Sequence, residues 1–283
     1  MENKNILKNC YIMSLDSIFN ESALCFSHKT GLPYIKDFQP KENDFYFVFG
    51  GHKYPLELLS KQHELNYNFT YIILNSESQL SDVMRNKFYI DLMKKNIVFN
   101  YSCSVADYLL ETHEIKNYSY FFFDFIHNQI ETEKKYDYTF IGSYSVHRQE
   151  IINQLKSSYP HKRFYIDFEW KNKIPMELKK VLKESEYVLN IPYYLNDNNL
   201  ETHRINNALS CDCQVVSFKS GNEDTDKFYE DYIYFTDNLN DFFKCHEIKK
   251  KKSYTELIRG LSMKWNTHNL FILKKLIETL KQV

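Results

Sequence analysis

Short apolar runs recur along this chain, each ended by a polar or glycine turn and each followed by residues at helical spacing. Asp44 to Phe49 stops at Gly50 and Gly51, and Pro55 opens a helix just beyond, where its missing N–H is no loss. Thr70 to Leu74 predicts the next strand, Asp82 to Lys94 a helix, Asn96 to Tyr101 a strand and Ser104 to Leu110 a helix. Tyr120 to Phe125 closes this half as a strand. Because these runs are apolar at consecutive positions, both faces of their sheet must be covered. Strands that alternate with helices then indicate a parallel sheet between helix layers.

The polar stretch from Asn128 to Asp137 interrupts the pattern and reads as a linker. The alternation then resumes: strand 138–141, helix 146–157, strand 163–167, helix 175–184, strand 186–191, helix 202–210, strand 214–218 and a short strand at 232–235. Tyr254 to Gln282 is expected to be helical, with Gly260 an interruption. The expected fold class is α/β, with two Rossmann-like parallel-sheet domains facing a cleft and ligands at the C-terminal strand ends.

Composition narrows the function. A hydrophobic content of 43% and a charged content of 26% are those of a globular protein, and a net charge of -1 argues against a nucleic-acid partner, which needs a basic footprint. No apolar h-region follows Met1, so no secretory signal is expected, and the densest apolar run, Tyr118 to Ile126, is too short to span a bilayer. The 6 cysteines lack framework spacing, which points to reduced thiols and a cytoplasmic location. The lysines at 249–252 are a solvated loop or a contact for acidic lipid at the inner membrane face. Cys211 and Cys213 lack a second pair at zinc spacing, so no metal site is expected. Neither a Walker A sequence nor G-x-G-x-x-G is present.

Two strand-to-helix turns carry the candidate chemistry. At the first, Gly142 permits close approach of backbone to a ligand, Ser143 and Ser145 offer hydroxyls, and Arg148 lies on the first turn of the next helix. By itself this reads as a capped turn. At the second, Thr202 is the expected N-cap, preceded by Glu201 and followed by His203 and Arg204. Free helix-end N–H groups with an imidazole and a guanidinium beside them suit a diphosphate. Glu201 either binds sugar hydroxyls or favours the helix end. In the first half, His52 after Gly50-Gly51 and Glu77 after Thr70–Leu74 occupy strand ends, where either could act as a base toward a hydroxyl.

At these two segments the chain resembles the GT-B glycosyltransferases, in particular the small bacterial and viral group related to glycosyltransferase family 1 and CgeB-like proteins. The likeness rests on Phe140-Ile141-Gly142-Ser143 and on Arg204-Ile-Asn-Asn207-Ala208-Leu209-Ser-Cys-Asp212-Cys-Gln-Val215-Val216-Ser217. Asn207 stands where many members have the Glu that binds the nucleotide ribose, and Asp212 where Gly is usual. The resemblance implies a metal-independent glycosyltransferase with a nucleotide sugar as co-substrate and no further cofactor. It places Gly142, Ser143, Arg148, Glu201, Thr202, His203, Arg204 and Asn207 around the donor in residues 131–255. The acceptor, a glycan or glycolipid of lipopolysaccharide type, would sit on residues 1–130 beside His52 or Glu77, and a helix within 256–283 would return to the first domain. An epimerase or phosphorylase of the same architecture is the near alternative. A non-catalytic nucleotide-binding partner subunit is the other.

Overall fold

The computed structural model describes residues 9–119 without 37 and 67, 132–169, 175–244 without 198, 254–264, 267 and 271. They belong to two compact units, Met1–Asp124 with Met263–Val283, and Phe125–Ser262. The expected strand 120–125, the first part of the linker, the lysines at 249–252 and most of the C-terminal stretch lie outside the described residues.

The first unit is built on β1 (Cys10–Ser14), β2 (Phe45–Phe49), β3 (Thr70–Asn75), β4 (Ile97–Asn100) and β5 (Tyr118–Ser119), all parallel and hydrogen-bonded in that order. Between them run α1 (Asn20–Thr30), α2 (Pro55–Glu64), α3 (Lys87–Lys94) and α4 (Cys103–His113). On the outer edge of β1, Ile12 exchanges backbone hydrogen bonds with Pro33 and Ile35 in a parallel bridge. The chain therefore steps outward from β1 to residues 33–35, then crosses back to β2 on the other side. Right-handed crossovers in opposite directions place helices on opposite faces. Phe26 of α1 packs on Phe47 and Phe49, while Tyr71, level with Tyr46 on the alternate face, donates to the Leu58 carbonyl of α2. Tyr46, Phe47, Val48 and Phe49 are all buried, as a two-sided sheet requires.

The second unit repeats this plan. Its strands β6 (Tyr136–Ile141), β7 (Phe164–Asp167), β8 (Ser185–Asn190), β9 (Gln214–Phe218) and β10 (Tyr234–Thr236) are parallel in the order β10-β9-β8-β6-β7. The helices are α5 (Val146–Ser158), α6 (Pro175–Lys183), α7 (Thr202–Ser210), α8 (Glu223–Tyr229) and α9 (Leu239–Phe243). The strand order reverses between β6 and β8, and the matching reversal in the first unit lies between β1 and β2. Such switch points leave a crevice at the carboxyl ends of the strands.

Several elements differ from expectation. The helix expected over 82–94 is split: Ser81 caps a 3-10 turn at Asp82–Arg85, and the Asn86 side chain accepts from the N–H groups of Phe88 and Tyr89 to start α3 afresh. Residues 254–264 run as helix straight through Gly260, whose missing side chain lets the helix pack on Tyr232, since a Cβ there would meet the Tyr232 hydroxyl at 2.5 Å. β1, α1, α8 and α9 have no counterpart among the elements expected from the sequence. Among the described residues no helix is long and apolar enough to cross a membrane.

The turn after β2 depends on Gly50, at φ 73°, where a Cβ would also meet Asp16 Cβ at 3.1 Å and Phe19 Cδ2 at 3.2 Å. Gly50→Ala should lower the unfolding free energy by about 1–3 kcal/mol in urea titration, from left-handed strain plus this contact. An unchanged midpoint would show that the turn relaxes freely.

Candidate functional site

At the switch point of the second unit, three charged side chains meet. Arg148, on the first turn of α5, is 2% exposed. Its Nε and Nη2 donate to the Ile191 carbonyl beyond β8 at 3.0 and 2.8 Å, its Nη1 donates to the Ser143 carbonyl at 2.8 Å, and Nη2 also pairs with Glu201. The guanidinium lies 5.2 Å from the ring centres of both Phe140 and Tyr193. Burial, the larger effect, lowers its pKa to about 10; Glu201 opposes this and Arg204 adds to it. It remains a cation at neutral pH.

Arg204, on the first turn of α7, binds the same strand ends from the other side. Its Nε donates to the Ile141 carbonyl at 2.9 Å and its Nη1 to Asn190 Oδ1 at 3.1 Å, while Nη2 pairs with the second oxygen of Glu201. The Phe140 ring lies 5.1 Å from this guanidinium as well. Gly142 makes the approach possible, since a Cβ there would stand 2.6 Å from Arg204 Nη2 and 3.4 Å from Arg148 Nη1. Arg204 is 14% exposed and Glu201 30%, so this half of the cluster borders solvent.

Several sequence-level assignments change. The Gly142 N–H donates to the Asp167 carbonyl at the end of β7, so it is not available to a phosphate. Arg148 is held by two carbonyls and Glu201 in the interior, where it braces the strand ends. Glu201, not Thr202, is the N-cap residue of α7, and its side chain turns to the arginines instead of capping. Thr202 is the first helical residue and is buried. Ser145 caps α5 by accepting from the Arg148 N–H. His203 and Asn207, four apart on α7, bring Nδ1 and Nδ2 to 3.5 Å of each other. Asp212 has φ 57°, a left-handed turn position, which explains why Gly suits that place and why Asp, one of the residues that tolerates it, stands there. It is a turn residue.

In the first unit the two separate candidates come together. His52 Nδ1 stands 3.5 Å from Glu77 Oε1, at ion-pair distance if the ring is protonated. The imidazole is set edge-on to Phe19 and Tyr89. Glu77 Oε2 accepts from Ser81 Oγ at 3.0 Å, and the Glu77 N–H donates to Asn75 Oδ1 at 3.1 Å. Asn75 is clamped in turn by Tyr89 and by Asn100, its register partner on β4. Lys53 pairs with Asp16 at 3.1 Å, fixing the turn that carries His52. Sequence reasoning passed over Asn75 and Asn190. An Asn ending an apolar run, in Ile-Ile-Leu-Asn75 and Val-Leu-Asn190, is the signal, since Asn is a poor strand former. Among the described residues no group of three His, Cys, Asp or Glu side chains could hold a metal ion.

No protein-family model matches the chain, and no curated protein matches it by sequence. Solved structures do. A point mutant of S. aureus TarM, in complex with fondaparinux, α-GlcNAc-glycerol and UDP, is 14% identical over 90% of this chain, with a TM-score of 0.56. The fold is that of the GT-B glycosyltransferases. The α,α-trehalose 6-phosphate synthase of Burkholderia multivorans, another similar GT-B structure, is 10% identical, covers 94% of this chain and 75% of its own, and has a TM-score of 0.50. The chain spans 58% of the length of the TarM chain.

Arg148→Met should lower the unfolding free energy by about 3–5 kcal/mol, because it breaks a buried ion pair, strips the Arg148 donor from the Ser143 carbonyl and leaves the Ile191 carbonyl only the longer contact from Arg204. Arg204→Ala should cost clearly less, since Arg204 itself and its carboxylate partner Glu201 border solvent. Urea titration of both variants checks this; equal losses would contradict the division into interior brace and surface donor.

Proposed function

We propose that the protein is a glycosyltransferase that takes a sugar from a nucleotide sugar, bound at the switch point of the second unit, and passes it to an acceptor hydroxyl held on the first unit. The observation that carries this reading is the charge arrangement between Gly142 and α7. Two guanidiniums share one carboxylate, which leaves one positive charge uncompensated beside a helix N-terminus at the place where open α/β sheets bind ligands. The UDP in the TarM complex supports a nucleoside diphosphate as the anion.

On this reading Arg204 and the start of α7 stabilise the negative charge that builds on the departing diphosphate, work that needs oriented donors already in place. His203 adds a donor, and Asn207 offers an amide to a hydroxyl of ribose or sugar. Arg148 holds the strand ends and Glu201 in position. In the first unit Glu77 orients His52 through Nδ1, so that Nε2 takes the proton of the acceptor hydroxyl. The acceptor is a glycan or glycolipid of the lipopolysaccharide type, met in the cytoplasm or at the inner membrane face. A second reading, a nucleotide-binding partner subunit without turnover, draws on Asn207 alone; the turn role of Asp212 removes its other motive.

A thermal-shift screen against UDP, GDP, CDP, CMP and ADP sugars should find one class that raises the melting temperature by mass action, and Arg204→Ala should abolish that rise. No rise with any of them at millimolar concentration would remove the donor site. With the matching donor and an acceptor in hand, His52→Ala should lower kcat by about 10²–10⁴-fold, the range for loss of a general base, with nucleotide affinity unchanged. Full turnover would take His52 out of the chemistry.

A further inference from the structure

Glu201 occupies an unusual place for a residue next to a nucleotide site. A carboxylate needs donors, and the nearest for an N-cap residue are the N–H groups of its own helix, yet its side chain makes no capping bond. It instead spans both guanidiniums, one oxygen on Arg148 and the other on Arg204. Among the described residues it is the one carboxylate in ion-pair contact with either arginine. The two partners differ in what surrounds them. Arg148 is buried, and losing its only counter-charge would leave an unpaired interior cation. Arg204 borders solvent and keeps its bonds to the Ile141 carbonyl and Asn190 when Glu201 leaves.

We propose that Glu201 is an internal stand-in for the ligand's anion: its second oxygen fills the seat on Arg204 that a phosphate of a nucleoside diphosphate takes, and binding displaces it there while Arg148 retains it. The inference rests on the donor-site reading of the second unit and adds to it a competing group within the chain. The chemistry is one of like for like, because carboxylate and phosphate oxygens both accept from a guanidinium fork. No bond is made or broken; an ion pair exchanges its anion. The empty site is thereby kept partly neutralised, one carboxylate against two cations, and only a ligand with more charge than a single carboxylate displaces the latch. Glu201 is then neither a sugar-hydroxyl ligand nor a helix cap.

The test is calorimetry of inorganic pyrophosphate and of UDP against the full-length wild-type chain and Glu201→Gln, which keeps the shape and a hydrogen-bond acceptor but not the charge. Two anions competing for one guanidinium are negatively coupled, and couplings between ligands typically change affinity about 5- to 150-fold. Glu201→Gln should therefore bind both probes tighter, by about tenfold or more. Equal or weaker binding by the variant, with the wild type binding well, overturns the latch while leaving the donor site in place. Failure of wild type and variant alike to bind pyrophosphate and every nucleoside diphosphate overturns the donor site, and the latch with it. Should Glu201→Gln fail to fold, the carboxyl ¹³C resonance of Glu201 in the wild-type protein decides: it should move as pyrophosphate saturates the site, and a resonance that stays put at saturation overturns the proposal.

Discussion

Two guanidiniums packed around one phenylalanine ring, with a single carboxylate between them, set the terms for the second unit. Like charges so close repel, and Arg204 indeed helps depress the pKa of Arg148. The arrangement holds because each cation is tied to a strand end: Arg148 to the Ile191 and Ser143 carbonyls, Arg204 to the Ile141 carbonyl and the Asn190 amide. These carbonyls end strands or begin the turns beyond them, where the ladder no longer satisfies them. The turns after β6 and β8 are therefore fixed by these two charges. Gly142 is the geometric condition for this, since any side chain there would collide with Arg204.

The first unit reaches a comparable result without arginine. The step from β1 out to residues 33–35 and back to β2 leaves the turn after β2 at this unit's own switch point, and a left-handed glycine with the Asp16–Lys53 pair fixes that turn. His52 is then held by aromatic edges on two sides and by Glu77, whose own position comes from the Asn75, Asn100 and Tyr89 network. His52, Asn75, Glu77 and Asn100 each sit at the carboxyl end of a strand or in the turn just beyond it. One unit holds a pair of guanidiniums at its strand ends and the other a carboxylate–imidazole pair.

How far the sequence reached can be seen in single residues. The parallel sheets were legible because buried strands leave continuous apolar runs, and Thr202–Ser210 was legible because Ile205, Ala208 and Leu209 recur at helical spacing. Arg204 beside Gly142 followed from the turn pattern. What did not follow was direction. Nothing in the order of residues says that Arg148 turns inward to the Ile191 carbonyl, 43 positions away, or that Glu201 turns toward arginines rather than its own helix end. The pairing of His52 with Glu77 is likewise a product of strand adjacency, which propensity does not encode. β1 was missed because its apolar run is only Cys10 to Met13, between Asn9 and Ser14, and the outward step to residues 33–35 rests on a single bridge.

The central claim is that the anion seat lies between Gly142 and the first turn of α7. A crystal structure of the full chain with a bound nucleoside diphosphate tests it most directly. The account predicts phosphate oxygens within hydrogen-bond distance of the Arg204 guanidinium and the N-terminus of α7, with Arg148 still buried on the Ile191 carbonyl. A nucleotide bound elsewhere, with the crevice between β6 and β8 unvisited, would contradict it.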